Sequence, residues 1–173
     1  MVSFGPVAQD LQESLRAGLE PIFRIALCLT GQVLPLAGWN AERQQYLGEA
    51  LLAELHRVWL PDALRVLALT EADLYADDLN FIFGEAEVGG PAAVVSLRRL
   101  RPEFYGHPPH HELFARRALV ECIHELGHTF GLRHCPRPGC VMQFSDRIEE
   151  SDRKGPGFCP VHRAALDAAL RRA

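Results

Sequence analysis

No stretch of this sequence is apolar for long enough to cross a membrane, and residues 1–19 lack the basic start and continuous apolar run of an export signal. A one-sided basic stripe is missing as well, because the arginines are spread along a chain with a formal net charge of -4. These absences argue against a membrane anchor and against nucleic acid as a partner. We therefore expect a soluble cytoplasmic protein that acts as a monomer.

Internal repeats, low-complexity tracts and domain linkers are also absent from the 173 residues. Hydrophobic residues make up 48% and charged residues 23%, which is ordinary for a folded chain. A chain of this length buries one sizeable core and is short for two. We predict a single domain over residues 1–173, with an N-terminal sheet and helix part (1–110) and a C-terminal part (111–173).

Two helices are predicted in the N-terminal part. Val7, Leu11 and Leu15 recur at helical spacing in the first helix, which Gly18 and Pro21 are expected to close. Asn40 is expected to cap the second helix, which Pro61 would stop. The apolar face of the second helix consists of Leu47, Leu51, Leu55 and Val58.

Strands are predicted from four β-rich runs, at residues 22–30, 64–70, 79–83 and 92–97. Strands and helices alternate at first and strands then follow strands, with a hairpin-like pair expected around residues 88–91. This order predicts a mixed α/β (α+β) fold, in which helices pack on a twisted, mostly parallel sheet. Further helices are predicted at residues 111–131 and 164–172, with a loop region rich in Cys, Pro and Gly between them.

A metal-binding pattern lies on the helix predicted at 111–131. His124 and His128 are four residues apart, so both imidazoles project from one face of the helix and can reach one metal ion. Glu125 follows the first histidine and can reach a water molecule on that metal without being a ligand. By itself this short pattern can also arise by chance on a charged helix.

The continuation of the pattern favours a catalytic metal. Gly131 tolerates the left-handed conformation that ends a helix abruptly, and His134 follows three residues later. A third imidazole can thus return to the same ion. Three histidines leave one position open for water, which is the arrangement that catalytic zinc needs.

A second cluster of possible ligands begins at the next residue. In an extended chain His134 and Cys135 point in opposite directions, so Cys135 can bind a second ion. Cys140 lies at a spacing common in structural zinc loops, and Cys159 and His162 form a pair at the spacing of zinc knuckles. The alternative is that some of these cysteines are small buried hydrophobic residues.

The two remaining cysteines have a different setting. Cys28 lies in an apolar run and Cys122 in a helical pattern, so we expect both to be buried packing residues.

The two clusters of possible ligands together predict two zinc ions per chain. One is catalytic, at His124, His128 and His134, and one is structural, at Cys135, Cys140, Cys159 and His162.

Residues 124–142, with the sequence HELGHTFGLRHCPRPGCVM, resemble the signature of the archaemetzincins. The resemblance implies a metzincin-type zinc metallopeptidase in which a cysteine directly follows the third histidine. It also implies a second zinc held by four cysteines, and a methionine turn beneath the catalytic metal, which Met142 fits by position. This chain departs from that pattern at His162, which stands where the family has its last cysteine.

The function predicted from these residues is hydrolysis of peptide bonds in a peptide or protein substrate, with Glu125 as the general base. Two alternatives use the same residues. One is a zinc-stabilised peptide-binding module with little or no hydrolytic activity, and the other is a hydrolase of non-peptide amides.

Overall fold

The computed structural model describes residues 1–58, 60 and 63–172. Its strands are β1 (Val2–Phe4), β2 (Val33–Leu34), β3 (Trp39–Asn40), β4 (Gln45–Leu47), β5 (Val66–Thr70), β6 (Leu74–Tyr75), β7 (Gly84–Ala86) and β8 (Ala92–Ser96). Its α-helices are α1 (Gln9–Phe23), α2 (Gly48–Leu55), α3 (His111–Thr129), α4 (Ile148–Arg153) and α5 (Pro160–Leu170). Two short 3₁₀ helices, Arg98–Leu100 and Pro102–Tyr105, connect β8 to α3.

The main sheet has the strand order β2-β1-β5-β8-β7, and a smaller sheet has the order β3-β4-β6. The pairs β1–β2, β1–β5 and β5–β8 are parallel, whereas β7 pairs with β8 in the antiparallel direction. The antiparallel pair is the hairpin predicted around residues 88–91. The predicted fold class, a mostly parallel mixed sheet with packed helices, is confirmed.

Side-chain alternation along β5 and β8 divides the core into two layers. Ala93 and Val95 of β8 point into the cluster formed with α1 and α3. Ala92 and Val94 point the other way, into the cluster formed with α2. Because β5 and β8 are buried on both faces, they are continuous apolar runs, as expected for parallel strands. Helix α3 lies over the β7 end of this sheet.

The first helix is longer than predicted, because α1 continues through Gly18 and Pro21 to Phe23. Gly18 allows close packing on α3, since a Cβ atom there would lie 2.8 Å from a methyl carbon of Leu119. Pro21 lies on the exposed face of α1, where the carbonyl group left without its N–H donor can bind water.

The predicted cap of the second helix was wrong. Asn40 belongs to β3, and its Oδ1 accepts hydrogen bonds from the backbone N–H groups of Glu42 and Arg43 in a local turn. Helix α2 begins at Gly48 and ends at Leu55. The predicted stop at Pro61 lies outside the described residues.

Two of the four predicted strands were wrong. The run 22–30 completes α1 and then continues as irregular, partly exposed chain beside Met1, whose carbonyl oxygen accepts from Thr30 N–H. Cys28 in this segment is exposed, so its expected burial was also wrong. The run 79–83 contributes one isolated bridge, from Ile82 to Leu74, and the regular edge strand follows it at β7. An apolar run does not by itself distinguish a strand from an apolar loop that packs on the core.

The predicted strands at 64–70 and 92–97 correspond to β5 and β8. The helix predicted at 111–131 is α3, which ends two residues earlier than expected. The closing helix α5 begins at Pro160, four residues before the predicted start at 164. None of the helices within the described ranges combines the length and apolar character needed to cross a bilayer.

Candidate metal centres and active-site cleft

One face of α3 forms the floor of a cleft of about 500 Å³. Residues three or four apart share a helix face, so Glu121, His124, Glu125 and His128 all point into this cleft. These four side chains are buried. The buried polar face requires partners for its nitrogen and oxygen atoms, and the surrounding loops supply several of them.

Backbone carbonyl groups orient the two histidines of α3. His124 Nδ1 lies 2.8 Å from the carbonyl oxygen of Val141, and His128 Nδ1 lies 2.7 Å from that of Leu132. A carbonyl oxygen only accepts, so each Nδ1 carries the proton and each Nε2 presents a lone pair. This is the arrangement by which proteins orient metal-binding imidazoles.

The third imidazole arrives through a tight reversal of the chain. Gly131 has φ = 84°, a conformation that L side chains rarely adopt, and Leu132 N–H donates to the carbonyl oxygen of Gly127. His134 then returns over the end of α3, with its ring centroid 5.4 Å from that of His124 and 4.9 Å from that of His128.

The three imidazoles together fit a metal ion. One ring nitrogen from each of His124, His128 and His134 lies within 4.8 Å of the other two. His124 Nε2 and His128 Nε2 are only 3.1 Å apart, although neither has a proton to share. Tetrahedral ligands at about 2.0–2.1 Å from zinc are about 3.3 Å apart, so a cation between these lone pairs accounts for their approach.

Burial keeps this histidine set neutral. Burial lowers the pKa of His128 to about 4, and it lowers the pKa values of His124 and His134 in the same direction. The Lys154 ammonium lowers all three further. Neutral imidazoles at neutral pH are what a metal site needs, because a protonated ring cannot be a ligand.

Glu125 lies beside the histidines and directly beneath the edge strand β7. A Cβ atom on Gly84 would lie 2.6 Å from Glu125 Cγ, so only glycine allows this approach. Burial raises the pKa of Glu125 well above its usual range, the Glu121 carboxylate raises it further, and Lys154 opposes the shift. A bound dication would also favour the ionised carboxylate.

Met142 packs against α3 and is not one of the residues that line the cleft. It is fully buried, and its carbonyl oxygen accepts from Cys135 N–H at 2.8 Å. A Cβ atom on Gly127 would lie 2.5 Å from Met142 Sδ. The turn that contains Met142 therefore packs against the helix between the two histidines, and it also positions Val141, the partner of His124.

A second cluster lies on the opposite side of the same turn. One ligand atom from each of Cys135, Cys140, Cys159 and His162 lies within 4.8 Å of the others. His162 Nδ1 is 3.3 Å from Cys159 Sγ, while His162 Nε2 is 3.0 Å from the carbonyl oxygen of Arg133. His162 is thus oriented like the histidines of α3, with one nitrogen on a backbone carbonyl and the other facing the cluster.

The thiols of this cluster differ in acidity. Hydrogen bonds from His162 lower the pKa of Cys159 to about 6, whereas burial raises the pKa of Cys140. A thiolate is the form that binds zinc. Cys122 lies apart from the cluster in the core, as expected, and burial raises the pKa of its thiol.

The rest of the cleft combines apolar and charged side chains. Leu79, Val88 and Phe144 line it with exposed surface, and the Phe144 ring lies 5.1 Å from that of His134. Glu85 of β7 also lines the cleft, and burial raises its pKa to about 7, with the carboxylates of Glu49 and Asp77 adding to the shift.

The structure brings together every residue predicted for the two metal sites, in two separate clusters, and places Glu125 beside the first. The cleft residues that were not identified from the sequence include Gly84, Glu121 and Lys154. Glu121 lies one helical turn before Glu125, so helical spacing could have revealed it. Nothing in the local sequence marks Gly84 or Lys154, because their positions depend on tertiary packing.

The chain is similar in sequence to a known family of peptidases. The family model described as Peptidase family M54 matches residues 34–167. The curated archaemetzincin of Pyrococcus furiosus is 42% identical to this chain, over 99% of this chain and 93% of the relative. Both the sheet and the residues 124–142 are included in that alignment.

Two solved structures are similar over nearly the whole chain. The archaemetzincin of Methanopyrus kandleri has a TM-score of 0.88 and 38% identity, covering 99% of this chain and 93% of the other. A zinc-dependent peptidase from Methanocorpusculum labreanum has a TM-score of 0.87 and 29% identity, covering 95% and 97%.

Proposed function

This chain belongs to peptidase family M54, the archaemetzincins, and is a zinc metallopeptidase; we propose that it hydrolyses peptide bonds at the zinc site formed by His124, His128 and His134. The resemblance inferred from residues 124–142 is confirmed. The observation that carries the proposal is the convergence of three oriented imidazoles beside a buried carboxylate at the floor of an open cleft.

Zinc held by these histidines would lower the pKa of a coordinated water molecule and polarise the scissile carbonyl group. Glu125 then acts as the general base, which takes the proton of the attacking water and returns it to the leaving amine. One carboxylate can serve both steps, first as the acceptor and then as the donor of the same proton. Gln143 and Phe144 follow Met142, so the sequence has no tyrosine directly after the methionine that could stabilise the oxyanion.

The substrate is proposed to bind along β7 as an added strand. This strand is the edge of the main sheet and its first residue, Gly84, lies against Glu125. An extended peptide that pairs with an edge strand gains main-chain hydrogen bonds whatever its sequence. The scissile bond would thereby be held over the general base.

The second cluster is proposed to hold a structural zinc ion. Its four ligands, Cys135, Cys140, Cys159 and His162, leave no open position, as in structural zinc sites. His162 fits as the fourth ligand because its Nδ1 faces Cys159 while its Nε2 donates to the carbonyl oxygen of Arg133. The ion would connect the start of α5 to the loop that carries His134.

We further propose that residues 1–173 form a single catalytic domain that acts as a monomer, of the metzincin type. The main sheet and α3 share one continuous apolar cluster, which also includes Leu166 of α5. Unpaired zinc-binding thiols fit a reducing compartment, so we propose the cytoplasm.

The proposal is tested by digestion of a peptide library with protein of measured zinc content. We expect cleavage that stops when the catalytic zinc is removed by a chelator and returns when zinc is added. Intact peptides in the presence of two bound zinc equivalents would contradict hydrolysis and would favour a peptide-binding module.

A further inference from the structure

The floor of the cleft contains a buried ammonium group that the proposed hydrolysis does not use. Lys154 follows α4 and lines the cleft together with the three histidines. Its side chain is 1% exposed, and that of its neighbour Glu121 is 3% exposed. The ammonium lies 3.3 Å from Glu121 Oε1.

This lysine is unique in the sequence. The chain has 18 lysine and arginine residues, and Lys154 is the only lysine among them. Apart from one contact between His56 and Glu87, the other ion pairs of the described residues use arginine. An ammonium is a compact point charge on a flexible stem, whereas a guanidinium is a planar fork. The cleft therefore contains the one lysine ammonium of the chain, whose donors can turn in any direction.

The ammonium has no hydrogen-bond partner among the described residues. Its contact with Glu121 Oε1 lacks the geometry of a hydrogen bond, and Ser151 Oγ already donates to that oxygen at 2.6 Å. An ammonium has three N–H donors, and leaving them unused in a buried position is costly. An oxygen atom that enters the cleft can provide the missing acceptor.

The backbone around Lys154 is fixed, so only its side chain can respond to a ligand. Lys154 N–H donates to the carbonyl oxygen of Glu150, and the Lys154 carbonyl oxygen accepts from Arg116 at 2.9 Å. Rotation of the terminal methylene groups would carry the ammonium from Glu121 toward the cleft while α4 stays in place.

From these contacts we propose that Lys154 binds a carboxylate group of the peptide substrate and makes this enzyme prefer a negative charge at one position near the scissile bond. This proposal rests on the proposed function. Glu121 lies one helical turn before Glu125, which places the ammonium on the order of 6 Å along the helix from the general base. An extended peptide advances about 3.4 Å per residue, so the carboxylate belongs to one of the first two residues beside that bond.

Other charges in the cleft restrict the preference to that position. Most are acidic, namely Asp78, Glu85, Glu121, Glu125 and Asp146, and the second cation, Arg147, is largely exposed. A substrate carboxylate is repelled by these acidic side chains, and Lys154 is the only buried side-chain cation that lines the described cleft. The carboxylate can be an Asp or Glu side chain or the C-terminus of the peptide.

The test uses a double variant that removes both buried charges, the Lys154 ammonium and the Glu121 carboxylate, together. Lys154→Met alone leaves Glu121 as an unpaired buried carboxylate and can fail to fold. The Glu121→Gln/Lys154→Met double variant keeps the size of both side chains and an acceptor for Ser151. Arg147→Met is the matched control, because it removes the exposed cation of the same cleft.

Zinc-loaded proteins are compared on a hexapeptide library, synthesised with free and with amidated C-termini. Wild-type protein should cleave peptides with a carboxylate at one position about tenfold or more faster than their Gln or amide counterparts. The ratio should fall below about twofold in the double variant and persist in Arg147→Met. Glu121→Gln alone should raise this ratio of cleavage rates. An ion pair between Lys154 and Glu121 with a merely structural role would leave the ratio unchanged. Loss of the preference by C-terminal amidation identifies the terminal carboxylate, and its retention identifies a side chain.

A binding measurement separates this proposal from the proposed function. If zinc-loaded wild-type protein cleaves no peptide, the role of Lys154 is tested by calorimetry, which measures the affinities for glutarate and for its monoamide. A preference for glutarate of about tenfold that is lost in the double variant supports Lys154 although the peptidase proposal fails. Equal affinity for the two probes, or a carboxylate preference in cleavage that the folded double variant retains, overturns the role of Lys154.

Discussion

Gly84 of the edge strand lies so close to Glu125 of α3 that a Cβ atom on Gly84 would be 2.6 Å from Glu125 Cγ and 2.7 Å from Oε1. The strand proposed to bind the substrate and the carboxylate proposed to activate water are thus in direct contact. A methyl group at this position must displace one of them.

Gly84→Ala is therefore expected to reduce hydrolysis by about tenfold or more, since misplacement of a reacting group by about 1 Å can cost 10²-fold. Zinc content should be unchanged, because the three atoms nearest this Cβ position all belong to Glu125. Gly157→Ala is the matched control, since its Cβ would meet no atom within 4 Å. Equal loss of activity in both variants would point to general destabilisation instead.

Glu125→Gln should keep both zinc ions and the fold but lose nearly all hydrolysis. The amide has the shape of the carboxylate but cannot take a proton from water, and a general base typically contributes about 10²- to 10⁴-fold. Peptides that the wild-type protein cleaves are the substrates to use, with metal content measured for each sample. Cleavage at the wild-type rate by the zinc-loaded variant would refute the role of Glu125.

Two zinc equivalents per chain are expected from elemental analysis of protein purified without chelator. His128→Ala should lose the ion of the histidine site, and Cys135→Ser combined with Cys140→Ser should lose the other, because the two ligand sets share no residue. One equivalent in the wild-type protein that survives the double cysteine substitution would rule out the second site.

The two ions should differ in how tightly they are held. The cysteine-rich cluster would hold its ion with thiolate ligands and no open position, whereas the histidine site would use three neutral ligands. A mild chelator should abolish hydrolysis before it unfolds the protein, as followed by circular dichroism. Simultaneous loss of both ions and of the fold at every chelator concentration would disprove the separate roles.

Glu85 should make the stability of the protein depend on pH. Its Oε2 has no hydrogen-bond partner among the described residues, and burial raises its pKa from 4.5 to about 7 in the folded state. Because the folded protein binds this proton more tightly than the unfolded chain does, stability is present at acid pH and lost as pH rises from about 4.5 through about 7.

Glu85→Gln removes this loss. The free energy of unfolding of zinc-loaded Glu85→Gln should exceed that of wild type by about 1 kcal/mol at pH 8, after allowance for the partial exposure of Glu85. The difference should shrink toward pH 5. Glu42→Gln, at an exposed residue outside the cleft, is the control and should show no such trend. A constant difference across this range would contradict the pKa shift.

Local spacing along the chain was enough to place the α3 residues of the candidate site. His124, Glu125 and His128 share a helix face wherever that helix lies, and Gly131 allows the reversal that returns His134 to them. The same holds for β5 and β8, whose continuous apolar runs indicate burial on both faces.

Elements whose conformation depends on distant neighbours were predicted poorly. The run 22–30 is as apolar as β5, but it lies beside Met1 at the margin of the sheet and stays partly exposed. Helix α1 continues through Pro21 because this proline lies on the exposed side of the helix, where the carbonyl group left without an N–H donor can bind water. Whether an apolar run becomes a strand depends on a partner strand that local sequence does not specify.

The sequence by itself determined the family, the mixed sheet and the two sets of candidate metal ligands, because metal coordination constrains residue type and spacing within a short segment. Only the tertiary structure decided what surrounds them. Gly84 approaches Glu125 across about 40 positions in the sequence, and Lys154 meets Glu121 because α4 packs on α3. Such contacts depend on how separate elements pack in three dimensions, and no local periodicity encodes them.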